Sequence, residues 1–173
     1  MLPSRTLVIG GAASGKSAYA ESLVEAAPRP HLYLATAEAQ DAEMSAKIAR
    51  HVGRRGSGWQ TLECPWDTET CLLGLPQGAV ALLDCATIWL SNRMMKDIDP
   101  QVAVSDLLAA IDGCKARLVV VTNELGHGIV PADALSRRFR EAHGRMNIAL
   151  AKQADAVTLV TAGLPQALKG ELP

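Results

Sequence analysis

The chain has 173 residues, 49% of them hydrophobic but only 3% aromatic, and 17 basic residues stand against 18 acidic ones for a formal net charge of −1. That length suits one domain with a full core of aliphatic side chains and alanine, without disulfide staples. The charge balance excludes a dedicated nucleic-acid binder, which carries a marked basic excess.

In chain order, Thr6-Leu7-Val8-Ile9 is a short β-branched apolar run and predicts a buried strand. Gly10-Gly11-Ala12-Ala13-Ser14-Gly15-Lys16-Ser17 follows and fits G-x-x-x-x-G-K-[ST] at every fixed position. Residues 17–25, rich in Ala and Glu, then predict a helix. Strand, glycine loop and helix in that order make a phosphate cradle. Glycines let several N–H groups turn inward, and the positive end of the helix points at the same place. In such a loop Lys16 reaches the β- and γ-phosphates and the Ser17 hydroxyl ligates Mg²⁺.

Ala27-Pro28-Arg29-Pro30 breaks the helix, and His31-Leu32-Tyr33-Leu34-Ala35-Thr36 predicts a second strand. A helix is expected over 41–50, ended near Gly53, with a loop over 53–58 and a short strand at Trp59-Gln60-Thr61-Leu62-Glu63. Residues 79–84 form an apolar strand ending in the Asp84 carboxylate, followed by helices around 87–96 and 101–114 and a clear strand over 117–124. The helix at 133–153 aligns Leu135, Phe139, Ala142, Met146 and Leu150 in one stripe. Gly144 inside it costs about 1 kcal/mol against alanine and predicts a close backbone approach. Residues 156–161 are the last strand, and 163–173 read as a tail. Alternating helices and near-continuously apolar strands imply an α/β domain, 1–173, with a mainly parallel sheet and helices on both faces.

Cys64, Cys71, Cys85 and Cys114 form no C-x-x-C pair and no metal-ligand spacing. Without a signal peptide or an apolar run long enough for a membrane span, the chain reads as cytoplasmic, its cysteines reduced and packed as small hydrophobes.

Ligands of such sheets gather at the carboxyl ends of the strands. Those ends hold the glycine loop, Thr36, Asp84, Thr122-Asn123-Glu124 and Thr161-Ala162-Gly163. Asp84 suits a Mg²⁺-positioning carboxylate, with an ordinary strand-end aspartate as the alternative. Glu124 either orients a hydroxyl nucleophile or caps a turn. His51 sits among Lys47, Arg50, Arg54 and Arg55. It is either a histidine packed at a helix end or, kept neutral by those cations, a nucleophile toward phosphorus. His127 is its rival; His31 and His143 read as structural.

Together these segments resemble the bifunctional adenosylcobinamide kinase/adenosylcobinamide-phosphate guanylyltransferases of cobalamin biosynthesis. The resemblance runs through GGAASGKS, Tyr33-Leu34-Ala35-Thr36, Glu43-Met44, Ile48-Ala49-Arg50-His51 and Trp59 to Glu63. It continues in DCATIWLSN at 84–92, TNELGHGIVP at 122–131, FREAHGRMN at 139–147, Gly163-Leu164-Pro165 and Leu168-Lys169. It implies a RecA-like P-loop NTPase domain, assembled as a homotrimer, that phosphorylates adenosylcobinamide with ATP or GTP. A histidine, here His51, then takes GMP from GTP and passes it to the new phosphate, giving adenosylcobinamide-GDP. The nucleotide contacts implied are Gly10 to Ser17, Ala35, Thr36, Ala37, Val52, Gly53, Arg54, Arg55, Glu63 and Asp84, with Ser17 and Asp84 on Mg²⁺ and Lys16 catalytic beside His51. The alternative is a plain P-loop small-molecule kinase with no covalent intermediate.

Overall fold

The computed structural model describes residues 1–38, 56 and 58–173. Its strands are β1 (Arg5–Gly10), β2 (His31–Ala35), β3 (Trp59–Glu63), β4 (Val80–Asp84), β5 (Arg117–Asn123), β6 (Ala156–Thr161) and β7 (Leu164–Lys169). Its helices are α1 (Lys16–Glu25), α2 (Thr68–Leu73), α3 (Ala86–Met95), α4 (Pro100–Gly113) and α5 (Ala134–Gln153). The helix expected over 41–50 lies outside the described residues.

The seven strands form one sheet in the order β3-β2-β4-β5-β1-β6-β7. Every neighbouring pair from β3 to β6 is parallel, and β7 alone runs antiparallel. Parallel strands need crossovers, and the intervening helices place apolar layers on both faces, so the strands are buried on both sides. Alternation sorts the core. Val8, Tyr33, Leu82, Val119 and Val121 face α1 through Ala20 and Val24. Leu7, Leu34, Leu83, Leu118 and Val120 face the other way, onto Leu72, Trp89, Leu107 and Met146 of α2 to α5. Each fully buried Leu or Val contributes roughly 1.5–3 kcal/mol of apolar burial, so this two-sided packing holds the strand ends in a fixed row.

Helix starts follow local chemistry. The Asp99 carboxylate accepts from the Gln101 and Val102 N–H groups at 2.8 and 3.2 Å, and Pro100 occupies the first turn of α4. Asp133 accepts from the Ser136 N–H at 2.7 Å at the start of α5. Trp89 Nε1 donates to Glu69 Oε1 at 3.1 Å and Arg93 pairs with the same carboxylate at 2.5 Å, clipping α2 to α3.

Three expectations are corrected. Residues 164–169 are a strand, not a tail: Ala162 and Gly163, with φ of 53° and 79°, make a two-residue turn that folds β7 back onto β6. Positive φ at both central residues is the hairpin geometry that matches strand twist, and Pro165 is tolerated because β7 is an edge. At Gly144 no described atom lies within 4 Å of where a Cβ would stand, so that glycine marks no close approach. Leu135 is 64% exposed, because the stripe of α5 meets the core only from Phe139 onward. Among the described residues, no helix is long and apolar enough to cross a membrane.

Candidate active site

The carboxyl end of β1 turns into the glycine loop. A Cβ on Gly10 would stand 2.7 Å from the Val160 carbonyl oxygen and 2.4 Å from Ser14 Oγ, so only glycine fits between β6 and the loop. Gly15 closes the loop at φ 92°, a conformation open to glycine without strain. The loop is tied inside by Ser14 N–H to the Gly11 carbonyl at 3.3 Å, and outside by the Gly163 N–H donating to the Ser14 carbonyl at 2.8 Å. The β6–β7 turn is therefore part of the loop's support. Lys16 folds back across the loop, its Nζ donating to the Gly11 carbonyl at 3.1 Å. Ser17 stands half-buried in the first turn of α1.

Asp84 ends β4. Its register partner on β2 is Ala35, which in turn pairs with Glu63 of β3, so the three strand ends form one row. The Tyr33 hydroxyl donates to Asp84 Oδ2 at 3.1 Å. Fully buried Thr36 brackets the next residue: its hydroxyl donates to the Cys85 carbonyl and accepts from the Cys85 N–H, each at 2.9 Å. Its own carbonyl accepts from Asn92 Nδ2 at 2.9 Å. Thr36 thus holds the end of β4 in place, and its side chain is committed within the protein. Burial pushes the Cys85 thiol up to about 11; the Asp84 charge adds to this and Lys16 opposes it. Tyr33 packs in the layer that faces α1, so its hydroxyl bond sets the Asp84 carboxylate on the α1 side of the strand ends, and α1 begins at Lys16.

Glu63 is exposed at the end of β3, and Ala37 is half-buried beyond β2. His51, Val52, Gly53, Arg54 and Arg55 lie outside the described residues. Glu124 Oε1 accepts from the Gly126 N–H at 2.5 Å, the turn-capping alternative weighed for it. His127 is exposed in the loop after β5. All four cysteines are free; Cys64, Cys85 and Cys114 are buried, and Cys71 is half-buried.

The sequence reading missed a buried polar cluster behind the strand ends. Thr87 Oγ1 and Thr122 Oγ1 lie 3.0 and 3.3 Å from His143 Nε2 and 3.3 Å from each other. The Thr122 hydroxyl donates to Asn147 Oδ1 at 2.8 Å. Burial lowers the His143 pKa and so favours the neutral imidazole, while Glu124 acts the other way. The only signal in the sequence was polar Thr and Asn at otherwise apolar positions of helices and strand.

Comparisons agree with this geometry. Among solved structures, a Pyrococcus horikoshii OT3 protein superposes with a TM-score of 0.55 at 10% identity, over 99% of this chain and 89% of that one. An ATPase of a bacterial type III secretion system gives 0.52 at 9% identity, over 95% of this chain and 57% of that one. At such identities the likeness is one of fold, a mainly parallel sheet with helices on both faces. In sequence, the chain is 41% identical over 171 residues to the bifunctional adenosylcobalamin biosynthesis protein CobP of Pseudomonas aeruginosa, covering 96% of this chain and 98% of that one. It is 39% identical to the corresponding CobU of Salmonella typhimurium, covering 94% and 98%. Residues 6–168 match the model of one family, and the chain belongs to it: the cobinamide kinase / cobinamide phosphate guanyltransferases.

Proposed function

We propose that the chain phosphorylates the aminopropanol hydroxyl of adenosylcobinamide with ATP or GTP and then transfers GMP from GTP to that phosphate through a guanylyl-histidine at His51. The observation that carries the reading is the glycine loop, with Lys16 opening α1 just past β1 and Asp84 ending β4 at the same edge of the parallel sheet, in a chain matched to the family over residues 6–168.

In the first step the substrate hydroxyl oxygen attacks the γ-phosphorus, the bond to the β-phosphate oxygen breaks, and the nucleoside diphosphate leaves. In the second, a His51 ring nitrogen attacks the α-phosphorus of GTP and pyrophosphate leaves. The phosphate oxygen of the corrinoid product then displaces the imidazole, forming adenosylcobinamide-GDP and restoring His51. Both steps leave the β-phosphate in the leaving group, whichever phosphorus is attacked. A loop whose N–H groups and Lys16 hold that phosphate therefore stabilises charge developing in either reaction.

The residues present fit Mg²⁺: a Ser17 hydroxyl and an Asp84 carboxylate are hard oxygen donors. Those two side chains would hold such an ion beside the phosphates. When bound, it neutralises charge on the bridging phosphate oxygens. Ala35, Ala37, Glu63, Val52, Gly53, Arg54 and Arg55 complete the nucleotide contacts in this reading, Thr36 acts by positioning the Asp84 turn, and the assembly is a cytoplasmic homotrimer.

The test uses GTP labelled at either end. Label at the α-position marks the protein, in a bond labile to acid and stable to base, and label at the γ-position does not. His51→Asn abolishes the mark while phosphorylation of adenosylcobinamide continues, and Lys16→Ala cripples both. A mutant at His51 that still carries α-label overturns the nucleophile assignment, and a wild-type protein that phosphorylates cobinamide yet never takes up α-label is the plain kinase.

A further inference from the structure

Where β4 stops, β5 continues. Asp84 pairs with Val121, the last rung between those strands, while on the other side β5 stays in register with β1 as far as Gly10 and Asn123. Asn123 therefore lies at the foot of the notch between Asp84 and the glycine loop. Its backbone faces the missing continuation of β4, and two side chains replace the strand. The Asn123 N–H donates to Thr87 Oγ1 at 2.8 Å, and its carbonyl accepts from Asn147 Nδ2 at 3.0 Å. The cluster of Thr87, Thr122, His143 and Asn147 holds those two groups in turn, and all four side chains are less than 9% exposed.

Strand alternation sets where Asn123 points. Val119 and Val121 face α1, and Thr122 faces α5 through Asn147, so Asn123 continues the α1 side, the side of the glycine loop and Lys16. Asn123 is half-buried, and the hydrogen bonds it makes among the described residues use its backbone N–H and carbonyl rather than its carboxamide. A neutral amide with unused donors, set rigidly beside a phosphate loop, is suited to donate to an oxygen whose charge grows in the transition state.

We propose that Asn123 is a further substrate-contacting residue, donating to the transferred phosphoryl group, and that Thr87 and Asn147 are positioning residues that fix its backbone. The inference rests on the phosphoryl-transfer reading given above. It is also separable from it, because the expected contact is to the phosphate and not to the corrinoid.

Asn123→Ala lowers kcat for phosphorylation of adenosylcobinamide on the order of 10²-fold, as expected for loss of one preorganised donor, with KM for the nucleotide within twofold. Thr87→Val lowers kcat in the same direction and Thr87→Ser, which keeps the hydroxyl, restores it. The second readout uses no corrinoid: titration of ADP, and of ADP with aluminium fluoride as a mimic of the transferring phosphoryl, both with Mg²⁺. Asn123→Ala weakens the aluminium fluoride complex and leaves ADP affinity unchanged. Equal binding of the mimic by wild type and variant overturns the proposal, as does unchanged kcat or an effect confined to KM. Absence of corrinoid phosphorylation by the wild type, with the difference in mimic binding intact, instead overturns the substrate reading and leaves Asn123 where it is.

Discussion

Gly15→Ala measures how tightly the glycine loop is seated against the β6–β7 turn. Gly15 holds φ at 92°, and a Cβ there would stand 3.1 Å from the Gly163 Cα. Two costs add. A non-glycine residue in the left-handed region costs about 1–2 kcal/mol. Moving Gly163 away also stretches its 2.8 Å bond to the Ser14 carbonyl, which forfeits about 0.5–1.5 kcal/mol. The sum centres on about 2.5 kcal/mol, and a domain of this size loses about 3 °C of Tm per kcal/mol, hence about 7 °C. Gly163→Ala is the control. Its φ is 79° but no described atom lies within 4 Å of its Cβ position, so only the first cost applies, about 1.5 kcal/mol or about 4 °C. Calorimetry of both variants without ligand gives the two Tm values. Thermal shift with ATP and Mg²⁺ then asks whether the loop still binds: the shift is lost in Gly15→Ala and kept in Gly163→Ala. Equal Tm losses in the two variants refute the argument that the Gly163 contact contributes, and a full ATP shift in Gly15→Ala refutes the claim that loop geometry carries binding.

Asp84→Asn keeps the bond from the Tyr33 hydroxyl, since an amide oxygen accepts as a carboxylate does. Tm therefore changes little, while turnover falls on the order of 10²-fold and partly recovers with added Mg²⁺; unchanged kinetics at limiting Mg²⁺ remove the metal role from this residue. Burial holds the His143 pKa below its ordinary value of 6.5, so below that pH the unfolded chain takes up a proton that the native chain refuses. Stability from this group is complete above pH 6.5 and declines as pH falls from there to the depressed native value. Urea midpoints measured across that range show a steeper acid decline for wild type than for His143→Gln, and parallel profiles sink the assignment.

Much of this was legible because burial on both faces leaves a plain trace. A strand such as β4 or β5 must be apolar at nearly every position, so its apolar run and the polar residue that ends it, Asp84 or Thr122, can be read directly. The glycine loop was legible for the opposite reason: its backbone must bend where a Cβ would collide, at Gly10 against Val160 and at Gly15 against Gly163. Edge and short elements leave no such trace. Strand β7 has mostly exposed side chains and no β-branched residue, and it exists because Ala162 and Gly163 turn the chain back, a conformation that alanine does not advertise. With six residues, α2 is too short for a helical period. Gly144 misled because a glycine tolerated on an open helix face looks the same in sequence as one required by contact.

The cluster behind Asn123 is the instructive case. Thr87, Thr122, His143 and Asn147 come from three elements, and each alone reads as an ordinary polar residue on a helix or strand. What joins them is a defect in the sheet: β4 ends two residues before β5 does, leaving an N–H and a carbonyl of Asn123 facing no strand. Buried backbone groups must find partners, so the fold requires polar side chains at that one place. Sequence periodicity carries the length of each strand but not the offset between neighbours, and the offset alone creates the requirement. The same offset opens the notch between Asp84 and the glycine loop, so the groups recruited to mend the ladder also stand beside the site.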